Sequence, residues 1–211
     1  PIVQLAHAHR IGLTIDMESR AWTDRTLARS IELFEMGHDV GTVLQTRLNR
    51  TKADLDSIPR GMRIRLVIGI YPEPSDVATT DKPQMKERML QYAERLLQNG
   101  VRVEFATHDD AYVERFAKEL APQFPGQCEV QMLLGVPRAP LQVALLDGSL
   151  GAALPVRLYV PFAVSWTDAT AYLRRRMNES PSIIWLVLRN LFDRQATRPP
   201  PRLPAKISNR A

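Results

Sequence analysis

Arg157 to Glu179, RLYVPFAVSWTDATAYLRRRMNE, holds the most suggestive set of reactive side chains in the chain. A short β run ends at Pro161. The helix that follows carries Tyr172, Arg175, Arg176 and Glu179 about one turn apart. Two adjacent guanidiniums, with a tyrosine one turn before and a carboxylate one turn after, suit a small carboxylate ligand, because the planar fork of Arg binds a carboxylate through two parallel hydrogen bonds. An isolated Arg run reads first as a solvated, salt-bridged helix face. Its place after the last strand of a repeating series favours the binding site.

Other polar groups collect at the outgoing ends of strand candidates: Asp16 with Glu18, Gln45, Arg65 with Tyr71, Thr107 with His108, Gln131, and Tyr159. Turns are polar in any protein, so part of this pattern is expected by chance. Gln45, Arg65 and Gln131, however, interrupt apolar runs. A buried amide or guanidinium is costly unless partnered, and a polar ligand is one natural partner. His108 reads equally as a cap for the helix beginning at Asp109 or as a ligand group. Asp24 reads as an N-cap, the three tryptophans as packing residues, and His7 and His9 as solvated. The sequence has no HExxH, paired cysteines, EF-hand loop, P-loop or Ser nucleophile elbow.

The elements that must position these groups alternate throughout. Strands are expected at Leu13–Asp16, Thr42–Thr46, Ile64–Gly69, Arg102–Thr107, Glu129–Leu133 and Arg157–Val160. Helices are expected at Asp24–Met36, Lys52–Ile58, Pro83–Asn99, Ala111–Leu120, Ala139–Gly148, Thr167–Asn178 and Ser182–Asp193. Thr80 and Asp81 offer capping oxygens before the third helix, Asn99-Gly100 a left-handed stop after it, and Asp109-Asp110 a cap for the fourth. The Val, Ile and Leu content suggests strands covered on both faces. Six βα units at a spacing of about thirty residues match a (β/α)8 barrel, in which the carboxyl ends of the strands carry the chemistry. An open doubly wound sheet has the same alternation, but no Gly-x-Gly-x-x-Gly follows any strand.

Composition narrows the function classes. A length of 211 residues and 45% hydrophobic content suit a folded domain with a substantial core. The net charge of +5 is concentrated at Arg194, Arg198, Arg202, Lys206 and Arg210. Without them the basic residues number 23, equal to the 23 acidic ones, so no basic nucleic-acid footprint is expected on the body. The lone Cys128 excludes an intramolecular disulfide, fits a reducing compartment and reads as a small buried residue. No apolar run reaches the length of a membrane span. The chain starts at Pro1 inside an apparent helix and reads as beginning within a longer protein. Residues 1–193 are expected to form the folded part, and 194–211 a basic, Pro-rich disordered tail.

The segments LTIDMES, GTVLQT preceded by Val40, RIRLVIGIYPEP, VEFATHDD, EVQMLLGV and RLYVPFAVSW…AYLRRRMNE together resemble the proline dehydrogenase family. They occur in the family's order from Leu13 to about Phe192. The resemblance implies an incomplete (β/α)8 barrel comprising strands three to eight, and oxidation of L-proline to 1-pyrroline-5-carboxylate with FAD. It also implies a quinone as electron acceptor and a cytoplasmic location with peripheral membrane contact. On the substrate side it assigns the Arg175–Arg176 pair to the proline carboxylate, Tyr159, Tyr172 and Tyr71 to the pocket, Leu133 to its apolar wall and Asp16 to its acidic end. On the cofactor side it assigns Gln45 and Arg65 to the isoalloxazine, with Thr107, His108, Gln131 and Glu179 along the rest.

The chain departs from the family pattern at Ile68, where Lys is usual, at Ile70, where a small residue is common, and at Ala163, where Gly is common. The family's first-strand Lys would precede Pro1. Ile68 favours a second reading, a degenerate member that binds a small carboxylate or a protein without redox chemistry. A third, an unrelated lyase or aldolase barrel, would require a Schiff-base Lys or a metal set at a strand end, and neither is present.

Overall fold

In a computed structural model, placement is described for residues 1–134, 136, 138–160, 162–168, 170 and 174. They divide into two units. The first comprises Pro1–Met132 with Leu141–Tyr159, and the second Leu133–Pro140 with the residues from Val160 on.

The described elements alternate between strand and helix along the chain. After α1 (Ile2–Ala8) come β1 (Leu13–Ile15), α2 (Arg20–Glu35), β2 (Val40–Gln45), the short α3 (Thr51–Asp54), β3 (Arg63–Val67), α4 (Lys82–Gln98), β4 (Arg102–Ala106), α5 (Asp110–Arg115), β5 (Cys128–Leu133), α6 (Ala139–Leu146) and β6 (Val156–Tyr159). The six strands lie in one sheet in sequential order β1-β2-β3-β4-β5-β6, and β1 to β5 pair in parallel. Sequential order removes the topological reversal of a doubly wound sheet and leaves an incomplete (β/α)8 barrel.

Local chemistry accounts for the element ends. Asp81 accepts a hydrogen bond from the Gln84 amide at 3.2 Å, capping α4, and Pro83 sits in the first turn, where its missing N–H is harmless. At the other end Gly100 takes φ +76°. The Gly100 amide bonds the Leu97 carbonyl and the Val101 amide that of Leu96, both at 2.9 Å, forming a Schellman closure. Asp109 caps α5 through the Tyr112 amide. That helix departs from the expected Ala111–Leu120 span: it ends at Arg115, continues as a π-helical turn over Phe116–Leu120 and closes in a 3₁₀ turn containing Pro122, which lacks the amide an α-helix would need there. Asp24 is not the cap of α2; Ser19 holds that position, and Asp24 lies within the helix, paired with Arg50 at 2.6 Å.

The apolar core lies between the sheet and its helices. Leu44, Ile64, Leu66, Val103, Phe105, Val130 and Met132 from the strands meet Leu27, Met89, Ala93, Leu96, Leu97, Val113 and Phe116 from the helices. The Phe105 and Phe116 rings stack with centroids 4.4 Å apart. Only β2 is buried along its whole length; β3 alternates between half-buried and buried, and β6 between half-buried and exposed. The expectation of apolar cover on both faces therefore gives way to one apolar and one polar face, because the positions alternating with the core carry Arg63, Arg65, Glu104, Glu129, Gln131 and Arg157. Trp22 and Trp166 are exposed at 52% and 86%, contrary to a packing role. Trp185 and the helix expected over Ser182–Asp193 lie outside the described residues, as does the tail 194–211.

In the second unit, Ser165 and Asp168 form a reciprocal capping pair: the Ser165 hydroxyl donates to Asp168 Oδ2 at 2.7 Å and accepts from the Asp168 amide at 3.1 Å. The helix expected from Thr167 thus starts at Trp166.

Cys128, the first residue of β5, is buried, and burial pushes its thiol up to about 12. It should resist a thiol-reactive dye in native protein at pH 8 and react stoichiometrically in denaturant. Rapid native labelling would contradict this placement.

Candidate functional site

On the polar face of the sheet, the structure brings together residues that are far apart in sequence. Arg65 Nε donates to Gln131 Oε1 at 2.7 Å, and its Nη1 stands 3.6 Å from Asp16 Oδ1. Gln131 in turn donates through Nε2 to Glu129 at 2.8 Å, and Arg157 holds Glu129 in a two-pronged pair at 2.6 and 2.9 Å. Arg65 is thereby clamped between a carboxylate on one side and a neutral amide on the other, so its orientation is set by three strands at once. Gln131 uses both ends of its amide on protein partners.

Gln45, at the end of β2, is only 4% exposed. Its Nε2 donates to the Glu18 carbonyl at 3.0 Å, while its Oε1 is buried and has no hydrogen-bond donor among the described residues. Such an acceptor is expensive in a protein interior, and a ligand N–H would satisfy it. Gly69 explains how the amide fits. A Cβ there would lie 2.4 Å from Gln45 Oε1 and 3.0 Å from the Arg47 side chain, and φ is +99°. Only a residue without Cβ combines that dihedral with so close an approach. Ile68 packs against the apolar core cluster, and Ile70 is 48% exposed.

Tyr71 follows in the loop after β3. Its hydroxyl donates to the Glu18 carboxylate, and its carbonyl accepts from Arg47 Nη1 at 2.5 Å. After β4, the Thr107 hydroxyl accepts from the Asp109 amide at 3.2 Å, and Asp109 is held by Lys86. Asp109 is thus the residue that caps α5, and the half-buried His108 lies between it and Thr107. That ordering answers the question of whether His108 caps the helix. The Lys86 hydrogen bond, partly opposed by burial, keeps the Asp109 carboxyl below its ordinary range. Leu133 ends β5 half-buried, and Tyr159 ends β6 at 42% exposure. Tyr172, Arg175, Arg176, Glu179 and Pro161 lie outside the described residues; Ala163 is exposed in the segment between.

Sequence reasoning passed over Gly69, Arg47 and Glu73. Gly69 carried a signal, since a glycine directly after an apolar strand often marks a close backbone approach. Glu73 carried none, because its contact, described below, lies 53 residues away. No group of three or more potential metal ligands occurs among the described residues.

Known proteins show the same fold and family. The family model described as Proline dehydrogenase matches residues 1–183. Proline dehydrogenase 2 of Bacillus subtilis (strain 168) is 34% identical over 187 residues, covering 87% of this chain and 59% of the relative. Proline dehydrogenase of Deinococcus radiodurans is 32% identical over 186 residues, covering 84% of this chain and 57% of the relative. The chain therefore spans somewhat under three fifths of the length of these curated relatives. Among solved structures, proline utilization A from Bdellovibrio bacteriovorus, inactivated by N-propargylglycine, superposes with a TM-score of 0.71 at 25% identity, covering 85% of this chain and 21% of that one.

Two outcomes follow from this geometry. Gly69→Ala should lower stability by about 1–2 kcal/mol through the left-handed dihedral alone, and by more if Gln45 cannot move, as read by chemical denaturation. An unchanged midpoint would refute the close approach. For Asp109, the depressed folded value means that its contribution to stability is present above the unfolded value of about 3.9 and is lost as pH falls through the lower folded value. Asp109→Asn should accordingly flatten the acid limb of a melting-temperature profile, whereas a parallel profile would show that the Lys86 bond does not couple to folding.

Proposed function

The chain belongs to the proline dehydrogenase family, and from that membership we propose that the protein carrying it oxidises L-proline to 1-pyrroline-5-carboxylate. Proline gives up the hydrogen of one C–H and one N–H bond as the ring C=N bond forms. FAD, when bound, supplies the two-electron acceptor, and a quinone removes the electrons afterwards.

The observation that most supports a flavin here is the buried Gln45 amide, whose Oε1 has no donor among the described residues, on the strand next to that of the clamped Arg65. An isoalloxazine edge presents N–H and C=O groups in alternation, which an amide acceptor and a guanidinium donor complement. Gln45 and Arg65 would hold that ring, and the fixed positive charge of Arg65 would stabilise a reduced, more negative one. Thr107, His108 and Glu179 would line the remainder of the cofactor. Gln131, with its amide already engaged, contributes by orienting Arg65.

On the substrate side, Arg175 and Arg176 fix the proline carboxylate and contribute positioning rather than proton transfer. Tyr71, Tyr159 and Tyr172 close the pocket, Leu133 provides its apolar wall, and Asp16 lies at its acidic end. The folded part is taken as residues 1–193, with 194–211 as a tail. The protein is placed in the cytoplasm, with the membrane surface as the meeting point with quinone; no helix among the described residues is long and apolar enough to cross a membrane. A second reading, carboxylate or protein binding without redox chemistry, draws on Ile68, which stands where the family resemblance places Lys and packs instead against the core.

The deciding experiment is an anaerobic visible spectrum with FAD before and after adding proline. A bound flavin band that bleaches with proline supports the dehydrogenase. Flavin lost on desalting, with no response to proline, transfers the assignment to the second reading. Arg175→Met or Arg176→Met should raise the proline KM by up to roughly a hundredfold, corresponding to a charged hydrogen bond of about 2–3 kcal/mol. An unchanged KM would dismiss the carboxylate clamp.

A further inference from the structure

The loop between β3 and α4 is attached to the rest of the first unit in two different ways. Its base is tied by backbone bonds to the turn after β2. The Asn49 amide bonds the Val77 carbonyl and the Thr79 amide bonds that of Arg47, both at 2.9 Å, and Leu48 and Ala78 form an antiparallel bridge. Its tip, Tyr71-Pro72-Glu73, has no such ladder to that turn among the described residues. Arg47 Nη1 reaches the Tyr71 carbonyl from the base side, and two carboxylates join the tip to the β1–α2 turn, one from each side of that contact. Glu18 of the turn accepts from the Tyr71 hydroxyl. Glu73 of the tip accepts from the Arg20 amide at 2.9 Å, with Arg20 Nε at 3.4 Å from its other oxygen.

The Glu73 contact is unusual in kind. Helix α2 begins after Ser19, whose own side chain makes no capping bond. One of the free amides at that helix start is therefore satisfied from a different loop, by a carboxylate whose side chain is only 5% exposed. A buried negative charge at a helix N-terminus is a favourable arrangement, and moving the tip away would leave both the charge and the amide unpartnered. Glu18 does more than accept from Tyr71: its carbonyl also receives the Gln45 amide at 3.0 Å. One residue thus touches both the tyrosine on the substrate side and the glutamine on the cofactor side.

We propose that Glu18 and Glu73 form a reciprocal two-carboxylate clasp that holds the tip of the β3–α4 loop onto the start of α2 and so sets Tyr71 in register with Gln45. Both are positioning residues, and the assignment of Tyr71 and Gln45 to substrate and cofactor rests on the function proposed above. The clasp is cooperative. Either bond restricts the three-residue tip, so each favours formation of the other, while the base stays fixed by its backbone bonds.

The test reads the clasp independently of turnover. Hydrogen exchange at the Arg20 amide, followed by NMR in the chain without FAD, should accelerate about tenfold in Glu73→Ala and much less in Glu73→Gln, which retains an acceptor oxygen. It should also accelerate in Glu18→Ala, which removes the acceptor of the Tyr71 hydroxyl although it leaves the direct partner of the Arg20 amide intact. The amides of Val77 and Thr79, at the base, should not change. With proline as substrate, Glu18→Ala and Glu73→Ala should each raise KM roughly threefold to tenfold with kcat within about twofold, and the double variant should be no worse than the poorer single one. Wild-type exchange at Arg20 in Glu18→Ala, or acceleration spread equally over the base, would overturn the clasp. Absence of proline oxidation by the unsubstituted protein would defeat the functional reading alone, because the exchange experiment would still decide the clasp.

Discussion

The inner face of the sheet has to neutralise its own charges, and the order of the strands is what allows it to do so. Arg63 and Arg65 project from β3 on the face opposite the core, with buried Glu104 and Gln131 on β4 and β5 as their partners. Arg63 also reaches Asp39 at 2.9 Å and the Leu13 carbonyl at 2.8 Å, so one guanidinium joins the amino ends of three strands. The hydrogen bonds of Arg63 to Asp39 and Glu104 outweigh the opposing effect of burial and strengthen its hold on its proton. Isolated charges at such positions would be costly, whereas paired ones specify which strand lies beside which. A slip of one residue in β3 would exchange Ile64 and Leu66 for Arg63 and Arg65 in the core.

The same constraint shapes the functional end. Arg65 is held between Asp16 and Gln131, and Gln131 is held by Glu129, itself paired with Arg157. A guanidinium with several fixed partners loses its rotamer freedom before any ligand arrives, which is the condition for precise placement beside a cofactor. Gln45 is the counterpart: it is buried, anchored at one end to Glu18, closely approached by Gly69, and left with one acceptor oxygen unmatched. The rigid sheet supplies these two groups, while Tyr71 is carried by a loop whose tip depends on side-chain contacts. The residues proposed for the substrate and those proposed for the cofactor are therefore held by different kinds of interaction, side-chain bonds to a loop tip in one case and strand register in the other.

The alternation of strands and helices was legible in the chain because each transition has a local physical sign. Asp81, Asp109 and Gly100 act at the element ends where capping chemistry places them. Gln45, Arg65 and Gln131 stood out as polar interruptions of apolar runs; they lie on β2, β3 and β5, and Arg65 meets Gln131 across β4. The reading of Asp24 as a cap failed because a capping side chain is equally at home on an exposed helix face, here opposite Arg50. The expectation of apolar cover on both faces failed because short strands rich in Val, Ile and Leu conceal charges at alternate positions.

Residue types and their order were enough to determine the strand and helix alternation and the family, and to single out Gln45, Arg65 and Gln131, since periodicity, capping and polar interruptions of apolar runs are all local properties of the chain. Tertiary structure alone decided the partners: that Arg65 meets Gln131 from 66 positions away, that Gln45 Oε1 finds no donor among the described residues, and that Glu73 caps a helix 53 residues before it. The reason is physical. A hydrogen bond between distant residues depends on strand register and loop path, which arise from packing the whole core at once and leave no mark on the neighbouring sequence.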